Sequence, residues 1–259
     1  AEAGYVPTCQ MIPESDCVLR VPTSSAACKT APEAIEGEVL AVETLSETSF
    51  SLKLKLAKPM GFLPGQYVNV TVPGTGQHRS YSFSSAQGGD EATFLIRNLP
   101  GGVMSSYLSE RAKPGDQVTL TGPMGAFYLR PIERNQLWLA GGTGLAPFLS
   151  MLEQLAEQGT DQPIKLFYAV TRAADLVELD RVNALAEKIG NVTVVTVLAA
   201  EDEAHDRKGF VTDHLSAEDL CGGDCDVYLC GPPPMVDAVR THFDTLGVAP
   251  VSFHYEKFN

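Results

Sequence analysis

Positive charge is scarce in this sequence of 259 residues: 19 Lys and Arg stand against 32 Asp and Glu, for a formal net charge of -13. Nucleic acids and anionic lipids are gripped by displacing counterions with a basic face, and no Lys/Arg-rich stretch offers one, so neither is an expected partner. Long apolar runs are missing too, so no membrane span is expected. The opening Ala1-Glu2-Ala3-Gly4 lacks the basic and apolar parts of a secretory signal. These absences predict a cytoplasmic protein. Six cysteines are too few for a disulfide scaffold in a chain of this length and point to a reducing compartment. Cys221-Gly222-Gly223-Asp224-Cys225 has no second His or Cys pair at ligand spacing, the five histidines include no i, i+4 pair, and no Gly-x-Ser-x-Gly elbow occurs. Zinc centres and hydrolases are therefore disfavoured.

The 44% hydrophobic and 20% charged shares are those of an ordinary globular protein, and the length predicts two domains with room for a fragment of a third. Residues 1–30 hold half of the cysteines, yet beyond Cys17-Val18-Leu19-Arg20-Val21 they carry little strand or helix signal and are too short to bury a core. Residues 31–34 read as a linker. Over 35–132, apolar residues alternate in Phe50–Leu56, Tyr67–Val72, Thr93–Arg97 and Gln117–Leu120, with Gly and Pro turn signals between them, which predicts a small antiparallel barrel. From about residue 135 the pattern alternates strand and helix, so 133–259 is expected to form a parallel sheet covered by helices. Its strands are read at Leu137–Ala140, Ile164–Tyr168, Val192–Val197 and Val227–Cys230. Phe148, Leu152 and Leu155 share one helical face ended by Gly159, and Leu179–Lys188 and Met235–Leu246 repeat the helical signal.

Four segments carry chemistry. Arg79-Ser80-Tyr81-Ser82, placed after a strand and a loop, offers a guanidinium for pyrophosphate, an aromatic for an isoalloxazine and short hydroxyls. It would equally serve as a strand end with a solvated Arg. Gly101-Gly102-Val103-Met104-Ser105-Ser106 feeds a short helix whose unpaired N–H groups suit a diphosphate, with Ser105 or Ser106 as its cap. Gly142-Thr143-Gly144 lies between a strand and a helix opened by Pro147, a cradle for a second dinucleotide that is related to the three-glycine fingerprint without matching it. Cys230-Gly231-Pro232-Pro233-Pro234-Met235 leaves the last parallel strand at the carboxyl edge where such sheets bind ligands. A thiol there suits a nicotinamide face, or simple burial.

In this order, and closed by Tyr255-Glu256-Lys257-Phe258, these segments resemble the ferredoxin–NADP reductase superfamily over residues 35–259. Tyr5-Val6-Pro7-Thr8-Cys9-Gln10 is similar to the last ligand segment of a plant-type [2Fe–2S] ferredoxin, so 1–30 resembles the end of such a domain. A ferredoxin preceding a flavin domain is the arrangement of the benzoate/toluate-type dioxygenase reductases. The resemblance implies an FAD-binding barrel followed by a nicotinamide-binding α/β domain. It assigns Arg79, Ser80, Tyr81, Ser82, Gly101, Gly102, Met104 and Ser105 to FAD, and Gly142, Thr143, Gly144, Gly231 and Pro232 to the nicotinamide cofactor. Cys230 would lie by the nicotinamide, and Glu256 and Phe258 would cover the flavin, with Phe258 yielding its place; with Ser82 these form the expected catalytic set. The first three cysteines of a cluster are absent, so Cys9 is expected to be an orphan fourth ligand and [2Fe–2S] to belong to a full-length parent.

Relatives specific for the phosphorylated cofactor place a Ser-Arg pair after the third strand, where this chain has Leu198-Ala199-Ala200-Glu201-Asp202. Those carboxylates favour NADH, although Arg172, Arg207 and Lys208 are expected nearby. The implied function is an NADH-dependent flavoprotein reductase that serves a terminal oxygenase through the parent's ferredoxin domain. A stand-alone flavin or cytochrome reductase and a flavin-binding module without turnover are the alternatives.

Overall fold

The computed structural model describes residues 31–258, so Cys9, the ferredoxin-like segment 1–30 and Asn259 lie outside the described residues. Six strands form one antiparallel sheet: β1 (Glu33–Ser46), β2 (Ser49–Leu56), β3 (Tyr67–Thr71), β4 (His78–Ser82), β5 (Glu91–Arg97) and β6 (Gln117–Met124), in the order β4-β3-β6-β1-β2-β5. Alternate residues Leu52, Leu54 and Leu56 of β2 and Val68 and Val70 of β3 join Phe83, Phe94 and Leu120 in a buried core, the consequence of period two on a pleated strand. The sheet closes just past β4, where Phe83 bridges Phe94 and the Ser84 N–H donates to the Thr93 carbonyl at 2.8 Å. A barrel results. The helix α1 (Val103–Glu110) connects β5 to β6.

Arg79–Ser82 follows β3 and a loop and makes up the end of β4, because pairing of Ser80 with Asn69 and of Tyr81 with Val68 carries the β3–β4 ladder through the motif. Two local expectations are corrected. β1 takes in Glu33 and Ala34 of the expected linker, paired with Gly122 and Thr121. Neither Ser105 nor Ser106 caps α1: the cap is Gly102, which has no side chain to offer, and the Ser105 hydroxyl instead accepts the Leu99 N–H at 2.8 Å.

The second half contains β7 (Asn135–Gly141), α2 (Ala146–Gln158), β8 (Ile164–Val170), α3 (Leu179–Ile189), β9 (Val192–Leu198), β10 (Cys225–Gly231), α4 (Pro233–Leu246) and β11 (Ser252–Lys257). Its five strands are parallel in the order β11-β10-β7-β8-β9, as expected from the apolar runs. One face buries Trp138, Ala140, Leu166 and Tyr168 against Phe148 and Leu152 of α2 and Val182 of α3. The other buries Leu139, Val197 and Val227 against Val236, Val239 and Phe243 of α4. Barrel and sheet share an apolar seam, since Leu95 of β5 and Phe127 belong to the first of these cores and the Phe127 ring meets Phe148 and Tyr228 edge-on. The strand order reverses between β7 and β10, and their carboxyl ends open onto that seam.

Candidate functional site

Two clefts meet at the seam. The first, about 510 Å³, is lined by Gly142, Thr143, Pro232, Met235 and Phe258 at the ends of β7 and β10 and by Phe210 from the loop after β9. Gly142 has φ 55 and open space over its Cα, and no side chain caps the 3-10 turn Gly142–Leu145 or α2 behind it, so free N–H groups and backbone surface are available to a diphosphate. Gly144 stands behind the cleft rather than on its lining. A Cβ there would lie 2.2 Å from the Cys230 carbonyl oxygen, so glycine is what lets the turn pack under β10.

The second cleft, about 480 Å³, is lined by Arg79, Ser80, Tyr81 and Ser82 of β4, by Gly102, Met104 and Ser105 around the start of α1, and by Cys230, Glu256 and Phe258. The Arg79 guanidinium is exposed and donates only to neighbours, the His78 carbonyl at 2.8 Å and Gln77 Oε1 at 3.1 Å, so it is free to turn toward an anion. Tyr81 packs against the barrel core while lining the cleft, and burial pushes its phenol well up, keeping it neutral. Ser80 donates to Asn69 Oδ1 at 2.7 Å. Gly101 is not on the lining; its φ of 72 turns the chain into α1, whose uncapped first turn faces the cleft. A cation, uncapped helix N–H groups, an aromatic and hydroxyls around one cleft of mixed polar and apolar lining are the donor set that FAD requires, so the residues present fit that cofactor.

Arg97, Thr143 and Phe258 line both clefts, so the Phe258 ring stands where they join. Its N–H donates to the Gly231 carbonyl at 3.4 Å, which holds the chain's last described residue against the end of β10. Register pairs Glu256 with Cys230 across β10 and β11. Burial pushes the Glu256 carboxyl up to about 7, while the hydrogen bond it accepts from the Ser82 hydroxyl at 3.2 Å opposes that rise. Burial drives the Cys230 thiol up, and the neighbouring Glu256 adds to it, so Cys230 is a neutral thiol and not a nucleophile. The arrangement offers one carboxyl that titrates near neutrality, one uncharged sulfur and one aromatic ring at the junction of the clefts.

Several lining residues carried no sequence signal. Phe210 is 70% exposed over the first cleft, and Thr48, Asp175 and Arg97 reach it from three separate segments. Only the topology unites them. In the loop after β9, the Lys208 ammonium donates to the Glu201 carbonyl, and Arg172 is paired with Asp202 at 3.6 Å and Glu203 at 3.1 Å. Two of the three nearby cations are thus engaged within the loop region.

A barrel and a parallel sheet that place two nucleotide-sized clefts edge to edge define a flavin-dependent oxidoreductase that takes electrons from a nicotinamide. Residues 36–128 match the oxidoreductase FAD-binding domain family and residues 138–241 the oxidoreductase NAD-binding domain family. The chain is similar to the toluate 1,2-dioxygenase electron transfer component of Pseudomonas putida, at 53% identity over 100% of this chain and 77% of that protein. It is also similar to the 2-halobenzoate 1,2-dioxygenase electron transfer component of Burkholderia cepacia, at 43% identity over 100% and 77%. A crystal structure of a cytochrome P450 reductase from Amycolatopsis superposes with a TM-score of 0.82 at 33% identity, covering 91% of this chain and 73% of that one. The chain belongs to the FAD- and NAD-binding ferredoxin reductase family, among the electron-transfer components of oxygenase systems.

Proposed function

We propose that this chain is the NADH-oxidising, FAD-binding part of a reductase for an aromatic-ring dioxygenase of the benzoate/toluate type. Its likeness to a toluate dioxygenase component and the meeting of the two clefts at Phe258 support this reading. The FAD unit spans 35–132 and the nicotinamide unit 133–259. Bound FAD supplies the exchange between two-electron uptake and one-electron delivery. Arg79 and the uncapped start of α1 would hold its diphosphate, and Tyr81 and Ser82 its ring system. Gly142 and Thr143, with Gly144 behind them, cradle the nicotinamide cofactor's diphosphate. Pro232 closes the turn beside it, and Gly231 anchors Phe258.

Alignment would be the main task of the protein, since FAD and the nicotinamide cofactor, when bound, would supply the redox chemistry themselves. Phe258 shields the flavin cleft until a nicotinamide takes its place. Cys230 would pack against that ring without competing for its hydrogen bonds, and the Glu256 carboxyl beside the Ser82 hydroxyl could hold or release a proton near neutrality. The Glu201 and Asp202 carboxylates disfavour a 2′-phosphate, so the donor is NADH. Onward delivery to an oxygenase would use a [2Fe–2S] centre of a longer parent, to which Cys9 would contribute one ligand. Among the described residues no group of three or more His, Cys, Asp and Glu side chains is placed to hold a metal ion. Among the described residues, no helix is long and apolar enough to cross a membrane.

Anaerobic mixing tests the reading. The FAD-loaded chain is expected to lose its yellow colour with NADH and to respond far more slowly to NADPH. Persistent colour with NADH would leave a flavin-binding module without turnover. Efficient transfer to free flavins or a cytochrome, with none through the ferredoxin-containing parent, would favour a stand-alone reductase.

A further inference from the structure

The apolar seam between barrel and sheet is non-directional and fixes neither the distance nor the angle between the two clefts. Directional ties cross it at several places, among them the Ser82–Glu256 hydrogen bond and the Thr48 hydroxyl donating to Asp175, and the most branched of them centres on Arg181. Arg181 of α3 sends one guanidinium nitrogen, Nη2, both to the Ser84 carbonyl at 2.7 Å and to Glu153 Oε1 at 2.5 Å. The second oxygen of Glu153, on α2, accepts the Ala86 N–H. Arg181 Nη1 reaches Glu178 Oε2 at 3.3 Å, so the guanidinium is held on the sheet side by two carboxylates. Both partners of the central pair are largely covered, at 28% and 26% side-chain exposure.

What the tie connects gives it meaning. Ser84 and Ala86 lie two and four residues beyond Ser82, on the segment that leaves the flavin-facing strand. Glu153 sits on the helix that begins at Ala146 directly after the Gly142–Leu145 turn, and Ala146 and Pro147 of that helix themselves line the flavin cleft. One ion pair therefore captures a carbonyl and an amide of the barrel and holds them to the helix that carries the nicotinamide cradle. Planar guanidinium and carboxylate groups fix orientation as well as distance.

Resting on the reading of the two clefts given above, we propose that Arg181 and Glu153 are positioning residues for hydride transfer, setting the approach of the nicotinamide to the flavin while touching neither. A shift of about 1 Å in such an approach lowers a transfer rate on the order of 100-fold when it is rigid, and ~10-fold when the seam partly restores it. Binding of each nucleotide within its own cleft should be spared.

Arg181→Met, Arg181→Lys and Glu153→Gln, each loaded with FAD, provide the test by two independent readouts. The first is hydrogen exchange at the Ala86 amide, expected to accelerate ~10-fold in Arg181→Met as that amide loses its ordered acceptor. The second is anaerobic bleaching by NADH, in which the limiting rate at saturation is expected to fall ~10-fold while FAD retention and the half-saturating NADH concentration stay within ~2-fold. Arg181→Lys, which keeps one donor, should recover part of the rate. Faster exchange with an unchanged limiting rate overturns the proposal, as does a rate loss that follows FAD loss. Should Arg181→Met not fold, Glu153→Gln is judged by the same two criteria. If the unaltered chain is not bleached by NADH, the reading of the clefts has failed. If it is bleached and the variants match it, only the tie's role has.

Discussion

Raising the pH from 6 to 8 is expected to destabilise the flavin-free chain relative to its Glu256→Gln variant. The Glu256 carboxyl is pushed from the ordinary 4.5 up to about 7 by burial, against the Ser82 hydrogen bond. The fold therefore prefers this group neutral, while the unfolded chain ionises it from near 4.5 upward. Stability is fully present below that value and is lost as pH rises through about 7. The gap between the two values corresponds to ~3 kcal/mol, lowered toward ~2 kcal/mol because the side chain is only partly buried. Somewhat more than half is spent by pH 6, and about 1 kcal/mol falls between pH 6 and pH 8. Glutamine keeps the shape and an oxygen for Ser82 but does not ionise. Urea unfolding of both proteins at the two pH values should show the variant's advantage growing by about 1 kcal/mol. An advantage independent of pH would refute the claim that Glu256 is a desolvated acid at this seam.

Three further substitutions probe the same architecture. Arg79→Ala removes a free cation of the second cleft and should weaken FAD binding ~10-fold or more, the value of a charge-assisted hydrogen bond, as read by flavin retention on dialysis; full occupancy would contradict the diphosphate role. Gly144→Ala forces a Cβ to 2.2 Å from the Cys230 carbonyl, and overpacking of this kind costs about 1–3 kcal/mol, so its thermal midpoint should drop; an unshifted midpoint would show that the turn yields freely. Cys230→Ala should leave FAD bound and slow its reduction by NADH in stopped flow, whereas an unaltered rate returns Cys230 to simple packing.

Much of the fold was legible because its periods are clean. Leu52, Leu54 and Leu56 declare a pleated strand, and the continuous apolar runs of β7 and β10 declare strands buried on both faces. β1 was harder, since its strict alternation stops after Val39, where a register shift intervenes, and only Val42 of the next residues packs back against the core while Ala41, Glu43 and Thr44 turn outward. β11 hid inside a motif read for chemistry, because Phe253 and Tyr255 alternate with the polar His254 and Glu256 over only six residues. In the candidate site, residues belonging to compact motifs were legible. Thr48, Arg97, Asp175 and Phe210 were not, because they meet only where barrel turns and sheet loops converge. The Arg181–Glu153 tie is of that kind, joining residues 28 positions apart to a barrel loop 67 positions before Glu153.

The central claim is that the two clefts present a flavin and a nicotinamide to each other at the position held by Phe258. A crystal structure of the chain with FAD and oxidised nicotinamide dinucleotide tests it most directly. The account predicts Phe258 displaced and the two rings stacked beside Cys230, with the reacting atoms about 3–3.5 Å apart. Both nucleotides seated with their rings well separated, or a nicotinamide cofactor bound away from Gly142 and Pro232, would contradict it.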